Sequence, residues 1–353
     1  MIGKASGWIS AAKGFLNIAI FVAMLALACL GIHALLPVAP VSMVQAKLEH
    51  LKEHIGDYDT LFIGSSRIYH QIIPSLFDRL TAERGMKTSS FNAAVDGMRP
   101  PEDAYFFDEI RRYKPPHLRW VFIELGAVRV PLDPAKRGTN RIVYWHDWER
   151  LALIFQQATD VKKSRHLYGT LKSLREPMGD FCEHLGLFFE NMGNLGRASY
   201  FVEHLIHPTW PWVWTPPLGP TKDGFVEIDR TQMSDTDRQT YEKMVTARRA
   251  HPAGVDYSSP ASQDALQRLM RRIEALGATP VLIIPPTTAG KNFRPQPGPG
   301  KEPIILDYSD MDQYPALFDE KNRLDTDHLN TAGAEVFTHL VVDQFTQAVN
   351  SRH

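Results

Sequence analysis

Two short stretches near opposite ends of the chain hold the residues best suited to chemistry. One is Gly64-Ser65-Ser66-Arg67; the other is Asp325-Thr326-Asp327-His328-Leu329-Asn330-Thr331-Ala332-Gly333. A serine hydroxyl is a poor nucleophile at neutral pH and needs an adjacent base. His328 can take that proton, because imidazole titrates near neutrality. An acid must then hold the imidazole tautomer and stabilise its charged form. Asp325, three residues earlier, can face the same opening. Charge developing on an attacked carbonyl needs preorganised donors, and losing one typically costs about 100- to 1000-fold in rate. The amides of Ser66 and Gly97 are the candidates for this oxyanion hole. The Gly-x-Ser-x-Gly elbow is absent, since position 68 is isoleucine. This chemistry needs no cofactor. His204-x-x-His207 has metal-like spacing, but without a third ligand nearby no metal site is expected.

Elements that alternate between strand and helix must position these residues. Asp59-Thr60-Leu61-Phe62-Ile63-Gly64 is a short apolar run ending in glycine, as a buried parallel strand would be. Ser89 to Ala94, Trp120 to Leu125 and Val281 to Ile284 read as further strands. Helices are expected from Pro74, over Glu102 to Tyr113, from Ser259-Pro260 to Gly277, and from Thr331 onward. This alternation implies an α/β layered domain with a parallel sheet. In such sheets ligands bind beyond the carboxyl ends of the strands, where Ser66 falls. Residues 131–258 do not alternate cleanly. They include helical stretches, Trp148 to Gln157 and Asp180 to Met192, and the aromatic, proline-rich segment Pro208 to Pro220. They read as an insertion that caps or walls the site. Gly290 to Pro303 reads as a Gly/Pro-rich loop.

A serine after the first strand and an Asp-x-x-His before the last helix resemble the SGNH (GDSL-like) hydrolase superfamily. Gly64-Ser65-Ser66 matches its Gly-Asp-Ser block with Ser65 in place of Asp, which makes Ser66 the nucleophile. Asp325 and His328 fall on its Asp-x-x-His block. Phe91-Asn92-Ala93-Ala94-Val95-Asp96-Gly97 is similar to the second block, whose glycine donates to the oxyanion hole. The third block, Gly-x-Asn-Asp, is replaced by Gly126-Ala127-Val128-Arg129, with valine where the family has its asparagine donor. The resemblance covers residues 58–130 and 276–349. It implies a three-layer SGNH-like fold with a central parallel sheet, and a serine ester hydrolase or O-acyltransferase. Envelope relatives with Gly-Ser-Ser or Gly-Thr-Ser openings include membrane-anchored alanylation and alginate acetylation proteins. The expected substrate is therefore an O-acylated envelope or exported polysaccharide. A catalytically silent binding or assembly subunit and a lipid esterase are the competing readings.

Trp210, Trp212 and Trp214 alternate, so in an extended segment their indoles share one face; Trp145 and Trp148 form a second aromatic group. Trp145 and Trp212 are candidates for stacking on sugar rings, and packing of the insertion onto the sheet or contact with the membrane surface is the alternative. Arg67 and Arg129, at strand ends, suit either a substrate carboxylate or an internal ion pair.

Across 353 residues, 39 Lys and Arg balance 40 Asp and Glu, so nothing favours nucleic acid. Cys29 and Cys182 are too few for a disulfide framework. Phe15 to Leu36 carries no charge, and a helix of that run spans about 33 Å, enough for a bilayer core. Lys4 and Lys13 precede it with no acid between, which orients the N-terminus to the cytoplasm. A retained signal anchor is the leading reading. A signal cleaved at Val44-Gln45-Ala46 and a lipoprotein acylated at Cys29 are the others. The expected organisation is a cytoplasmic 1–14, a transmembrane 15–36 in the inner membrane, a short juxtamembrane helix or tether over 37–57, and a periplasmic SGNH-like domain of 58–130 and 259–353 split by the insertion 131–258. The sequence specifies no protein partner.

Overall fold

The computed structural model describes residues 2–35, 41–132, 139–160, 167–193, 202, 205–206, 218–228, 232–251, 254–257, 259–296 and 302–352. Five strands form the main sheet: β1 (Thr60–Ile63), β2 (Ser90–Asn92), β3 (Trp120–Glu124), β5 (Thr279–Ile284) and β7 (Ile304–Asp307). Their order is β2-β1-β3-β5-β7, and every pairing is parallel. β1 is buried along its whole length, between β2 and β3. That explains its unbroken apolar run, for a strand covered on both faces needs no polar side.

Side chains alternate across the sheet and feed two cores. Leu61, Ile63, Val121, Ile123 and Leu282 face one layer, which α2 (Ser42–His54), α5 (Glu102–Arg111) and α10 (Pro260–Glu274) join through Leu48, Ile110 and Leu269. Phe62, Phe122, Val281 and Ile283 face the other, which α4 (Pro74–Glu83) and α11 (Thr331–Asn350) join through Phe77, Phe337 and Phe345. The Phe62, Phe77, Phe122 and Phe345 rings pack with centroids 4.5–5.8 Å apart. Capping fixes where the helices begin. The Ser259 side chain accepts from the Ser262 amide ahead of α10, and Asn330 accepts from Gly333 ahead of α11.

Three sequence expectations change. The helix alternative for 37–57 is the one observed, as α2, but it packs into the domain instead of linking it: Val44, Lys47, Leu48 and Leu51 are all buried. The Gly290 to Pro303 loop begins with a strand, β6 (Lys291–Phe293), paired in parallel with β4 (Gly254–Asp256). β7 is an additional edge strand, where turn-rich flanks hide the three apolar residues Ile304-Ile305-Leu306. Within the insertion, the one-turn α6 (Asn140–Val143) precedes α7 (Trp148–Thr159), which lies at the expected place, and the second expected helix is the C-terminal part of α8 (Leu167–Met192). α9 (Asp235–Ala250) follows.

α1 (Ile2–Leu35) stands apart in character. Its stretch Ala12–Gly31 has a mean hydropathy of 2.3 and buries none of its residues against the protein. It is long and apolar enough to cross a membrane, as an anchor or as a signal sequence.

Candidate functional site

The chain turns back between β1 and β3. It leaves β1 for β2 on one side, then crosses to β3 on the other. At such a switch point the loops after neighbouring strands diverge and leave a crevice. The loop after β1 carries Ser66 into it. Ser66 opens a one-turn helix, α3 (Ser66–Tyr69), capped by the Ser65 hydroxyl, which accepts from the Arg67 amide.

His328 reaches the crevice from the loop ahead of α11. Its Nε2 lies 2.7 Å from Ser66 Oγ, so residues 262 apart in sequence meet. Its Nδ1 lies 2.9 Å from Asp325 Oδ2. Asp325 Oδ1 also accepts from the amides of Asp327 and His328, each at 2.8 Å. Burial pushes the Asp325 carboxyl up. The His328 hydrogen bond and charge, with the two amides, outweigh that and hold it at about 2. Asp325 is therefore an anion at any ordinary pH. With Nδ1–H donating to it, Nε2 is left as the acceptor facing the serine hydroxyl. Asp327, on the same loop, is exposed and lines the edge of the cleft.

The loop is braced from behind. Arg323, fully buried, donates from Nε to the Tyr241 hydroxyl of α9, which donates to the Phe318 carbonyl. Gly333 must be small here, because a Cβ would sit 2.1 Å from the Asn322 carbonyl oxygen.

Glu124, the last residue of β3, fixes the nucleophile loop. Its Oε2 accepts from the Ser65 amide at 2.7 Å; its Oε1 accepts from Arg67 Nε at 3.1 Å and from the guanidinium terminus at 2.5 Å. Arg67 thus takes the ion-pair option. Gly64 admits this carboxylate, since a Cβ there would lie 2.7 Å from Glu124 Oε2. An acid ending a buried apolar strand was the sequence signal for Glu124.

The second block forms the opposite lip. Gly97 lines the same cleft with φ +63°, a conformation that favours glycine. The Asn92 side chain stitches this loop to α3: its amide donates to the Ile68 and Ile72 carbonyls, and its oxygen accepts from the Ala94 amide. His70 Nε2 meets Asp96 Oδ1 at 2.9 Å. Burial raises the Asp96 carboxyl, but His70, helped by His328 and Lys47, holds it below its ordinary value. From beneath, Lys47 of α2 donates to the Asn92, Ala94 and Gly224 carbonyls at 2.8, 2.5 and 3.0 Å and lies over the Tyr69 ring. Complete burial pushes its ammonium well below the usual lysine range, against the pull of Asp96 and Asp223.

The remaining candidates separate. Val128 is buried in a small cluster with Leu153 and Ala261, and its amide donates to Ser262 Oγ, so its side chain plays no part at Ser66. Trp145 corrects an expectation. It belongs to the core, its ring stacked on His146 at 3.9 Å, so it offers no face to a sugar. Local sequence could not tell a packing indole from a binding one. Trp212, with Trp210 and Trp214, lies outside the described residues, as do His204 and His207. Arg129 lines the cleft.

The cleft over Ser66 and His328 has a volume of about 520 Å³, and Gly97, Arg99, Asp103, Gly126, Arg129 and Lys291 are among its walls. That is room for a saccharide unit bearing an acyl group. No protein-family model matches the chain, and no curated protein matches it in sequence.

Proposed function

We propose that the protein is an SGNH-like serine ester hydrolase or O-acyltransferase, with Ser66 as nucleophile, His328 as general base and acid, and Asp325 as orienter. The observation that carries this reading is the continuous chain of hydrogen bonds from Ser66 Oγ through His328 to an Asp325 held ionised. The switch-point crevice and the order of the motifs support it as well. Ser66 Oγ attacks the acyl carbonyl while its proton passes to His328 Nε2. The oxyanion receives the Ser66 amide, with Gly97 as the second donor. Collapse of the tetrahedral species breaks the ester bond, and the departing alkoxyl oxygen takes the proton from His328. Water or an acceptor hydroxyl, deprotonated by His328, then attacks the acyl-serine and restores the enzyme. The same three residues serve hydrolysis and transfer, and water access separates the two outcomes.

In this reading α1 anchors the domain to the inner membrane on its periplasmic side, which suits an O-acylated envelope or exported polysaccharide. The full chain in detergent should turn over p-nitrophenyl acetate. Ser66→Ala and His328→Ala should each abolish turnover, and the double variant should lose no more than either alone, because residues acting as one unit are not additive. Full activity in Ser66→Ala would remove the covalent mechanism. A folded wild type inactive on every acyl donor would favour the silent binding subunit, to which the missing third-block asparagine also points.

A further inference from the structure

The insertion presents an apolar face that the domain leaves uncovered. Trp148 opens α7, and Phe189 and Met192 lie in the last turn of α8; they are 68%, 61% and 49% exposed. The three are joined through one buried ring. Phe188 packs against Trp148 with centroids 4.3 Å apart and against Phe189 at 5.4 Å, and Met192 follows it by one turn. Beyond α8, the helical residues Val202, Leu205 and Ile206 have the spacing of a single face, and each is more than half exposed. Between Leu185 and Gly193 the one charged residue is Glu190, and Asn191 is turned inward to the Tyr144 and His146 carbonyls. Other large rings of the domain, Phe62, Phe106 and Phe337 among them, are fully buried. Soluble domains rarely leave a continuous apolar face open, and one that does marks a partner or a membrane.

α1 indicates which. Cys29 Sγ lies 3.5 Å from the Gly193 carbonyl oxygen, so the end of α8 abuts α1. Cys29 is the third residue from the end of the apolar stretch Ala12–Gly31. Those 20 residues rise about 30 Å, the thickness of a bilayer core, which puts Cys29 about 3 Å inside its boundary. Phe189 and Met192 precede Gly193 by four residues and one, so they stand where the core gives way to headgroups. Aromatic side chains, tryptophan first, suit that layer. We propose that Trp148, Phe189 and Met192 form a seating surface for the lipid bilayer that α1 crosses, dipping into the headgroup layer and holding the domain against the membrane. This rests on the reading of α1 as an anchor and not on the chemistry at Ser66. Glu190, half-buried beside them, can keep its carboxylate among the polar headgroups.

The test reads where single sites sit in lipid. The full chain with Cys29→Ser and Cys182→Ser is given one cysteine at a time for a bimane label: Met192→Cys on the surface, Met24→Cys inside α1, and Gln347→Cys, exposed on α11 across the sheet. Each is placed in nanodiscs of phosphatidylcholine and phosphatidylglycerol, with and without brominated acyl chains. Brominated lipid should remove most of the emission at Met192 and Met24 and spare Gln347; aqueous iodide should do the reverse. Adding Trp148→Ser and Phe189→Ser, both at exposed positions, should return Met192 toward the iodide sensitivity of Gln347, with the thermal midpoint confirming the fold. Lipid quenching at Met24 while iodide reaches Met192 as freely as Gln347 would overturn the surface and leave the anchor. Shielding of Met192 from both quenchers would overturn it too, because protein, a second copy included, would then cover the face. Lipid quenching at Met192 that persists undiminished in Trp148→Ser/Phe189→Ser would overturn it as well. Lipid quenching at Met192 without any at Met24 would remove the anchor alone.

Discussion

Asp325→Asn isolates the tautomer of His328 from everything else in the site. The substitution preserves shape, so the outcome is set by hydrogen-bond direction. Asp325 Oδ1 accepts from the amides of Asp327 and His328 and lies 3.0 Å from His328 Nδ1, while Oδ2 lies 2.9 Å from that nitrogen and meets no backbone donor. In asparagine only one of those positions remains an acceptor. Turning the amide oxygen toward Nδ1 would set its NH2 against two backbone donors. The favoured orientation therefore keeps the oxygen on the backbone and presents NH2 to Nδ1. The NH2 is then the group nearest Nδ1, which favours Nδ1 as an acceptor and the ring proton on Nε2. That nitrogen, 2.7 Å from Ser66 Oγ, now donates and can no longer take the serine proton. In a serine triad this wrong tautomer drops kcat by about 10⁴ with the geometry intact. Such a loss equals about 5.5 kcal/mol of transition-state stabilisation. The assay is kcat on p-nitrophenyl acetate, with the thermal midpoint confirming the fold. Asp327→Asn is the control: Asp327 lines the cleft edge, but its carboxylate makes no hydrogen bond among the described residues, so the variant should lose far less turnover than Asp325→Asn. A folded Asp325→Asn with kcat within about tenfold of wild type would refute the reasoning.

Acid should act through the same carboxylate. Asp325 sits at about 2 when folded against an ordinary 3.8, so its contribution to stability is present above about pH 4 and lost as pH falls toward 2. The gap corresponds to about 2.5 kcal/mol at most, and with a quarter of the side chain exposed about 1 kcal/mol is expected. Denaturant melts should show wild type and Asp325→Asn converging as pH drops from 5 to 2; a constant difference would contradict this. Lys47→Met removes the donor shared by three buried carbonyls. Each unsatisfied carbonyl costs about 1–3 kcal/mol, and relief of the buried ammonium offsets part of the total. A net loss of about 2 kcal/mol or more should appear in the melt, and an unchanged midpoint would show the contacts to be idle. Gly64→Ala places a Cβ 2.6 Å from Ile68 Cγ1 and 2.7 Å from Glu124 Oε2, displacing the clamp on Ser65 and Arg67. A shift of about 1 Å at the nucleophile should lower kcat about 100-fold, and wild-type kcat would show that the clamp does not position Ser66.

The parts of the fold that could be read in advance are those where one pattern has one physical meaning. Leu61-Phe62-Ile63 before Gly64 reads as a buried strand because both faces are covered. Ser66 and His328 could be paired because parallel strands deliver their following loops to one edge. What escaped depends on contacts between distant segments. Lys47 sits three residues after Val44 and one before Leu48, on the apolar face of α2. Its mixed-charge surroundings suggest a solvated tether, and only the three carbonyls it meets reveal its burial. β4 and β6 are three residues each, too short for periodicity, and exist through their pairing. Trp145 and Arg67 carry the right chemistry for binding, yet their partners His146 and Glu124 turn them inward.

The central claim is that Ser66 is a nucleophile activated by His328, and a fluorophosphonate probe tests it without knowledge of the substrate. The full chain in detergent is incubated with the probe, digested, and the modified peptide located by mass spectrometry. The account predicts a single adduct on Ser66, absent from Ser66→Ala and strongly slowed in His328→Ala. A folded wild type that takes no label, or labelling that persists unchanged in Ser66→Ala, would contradict it.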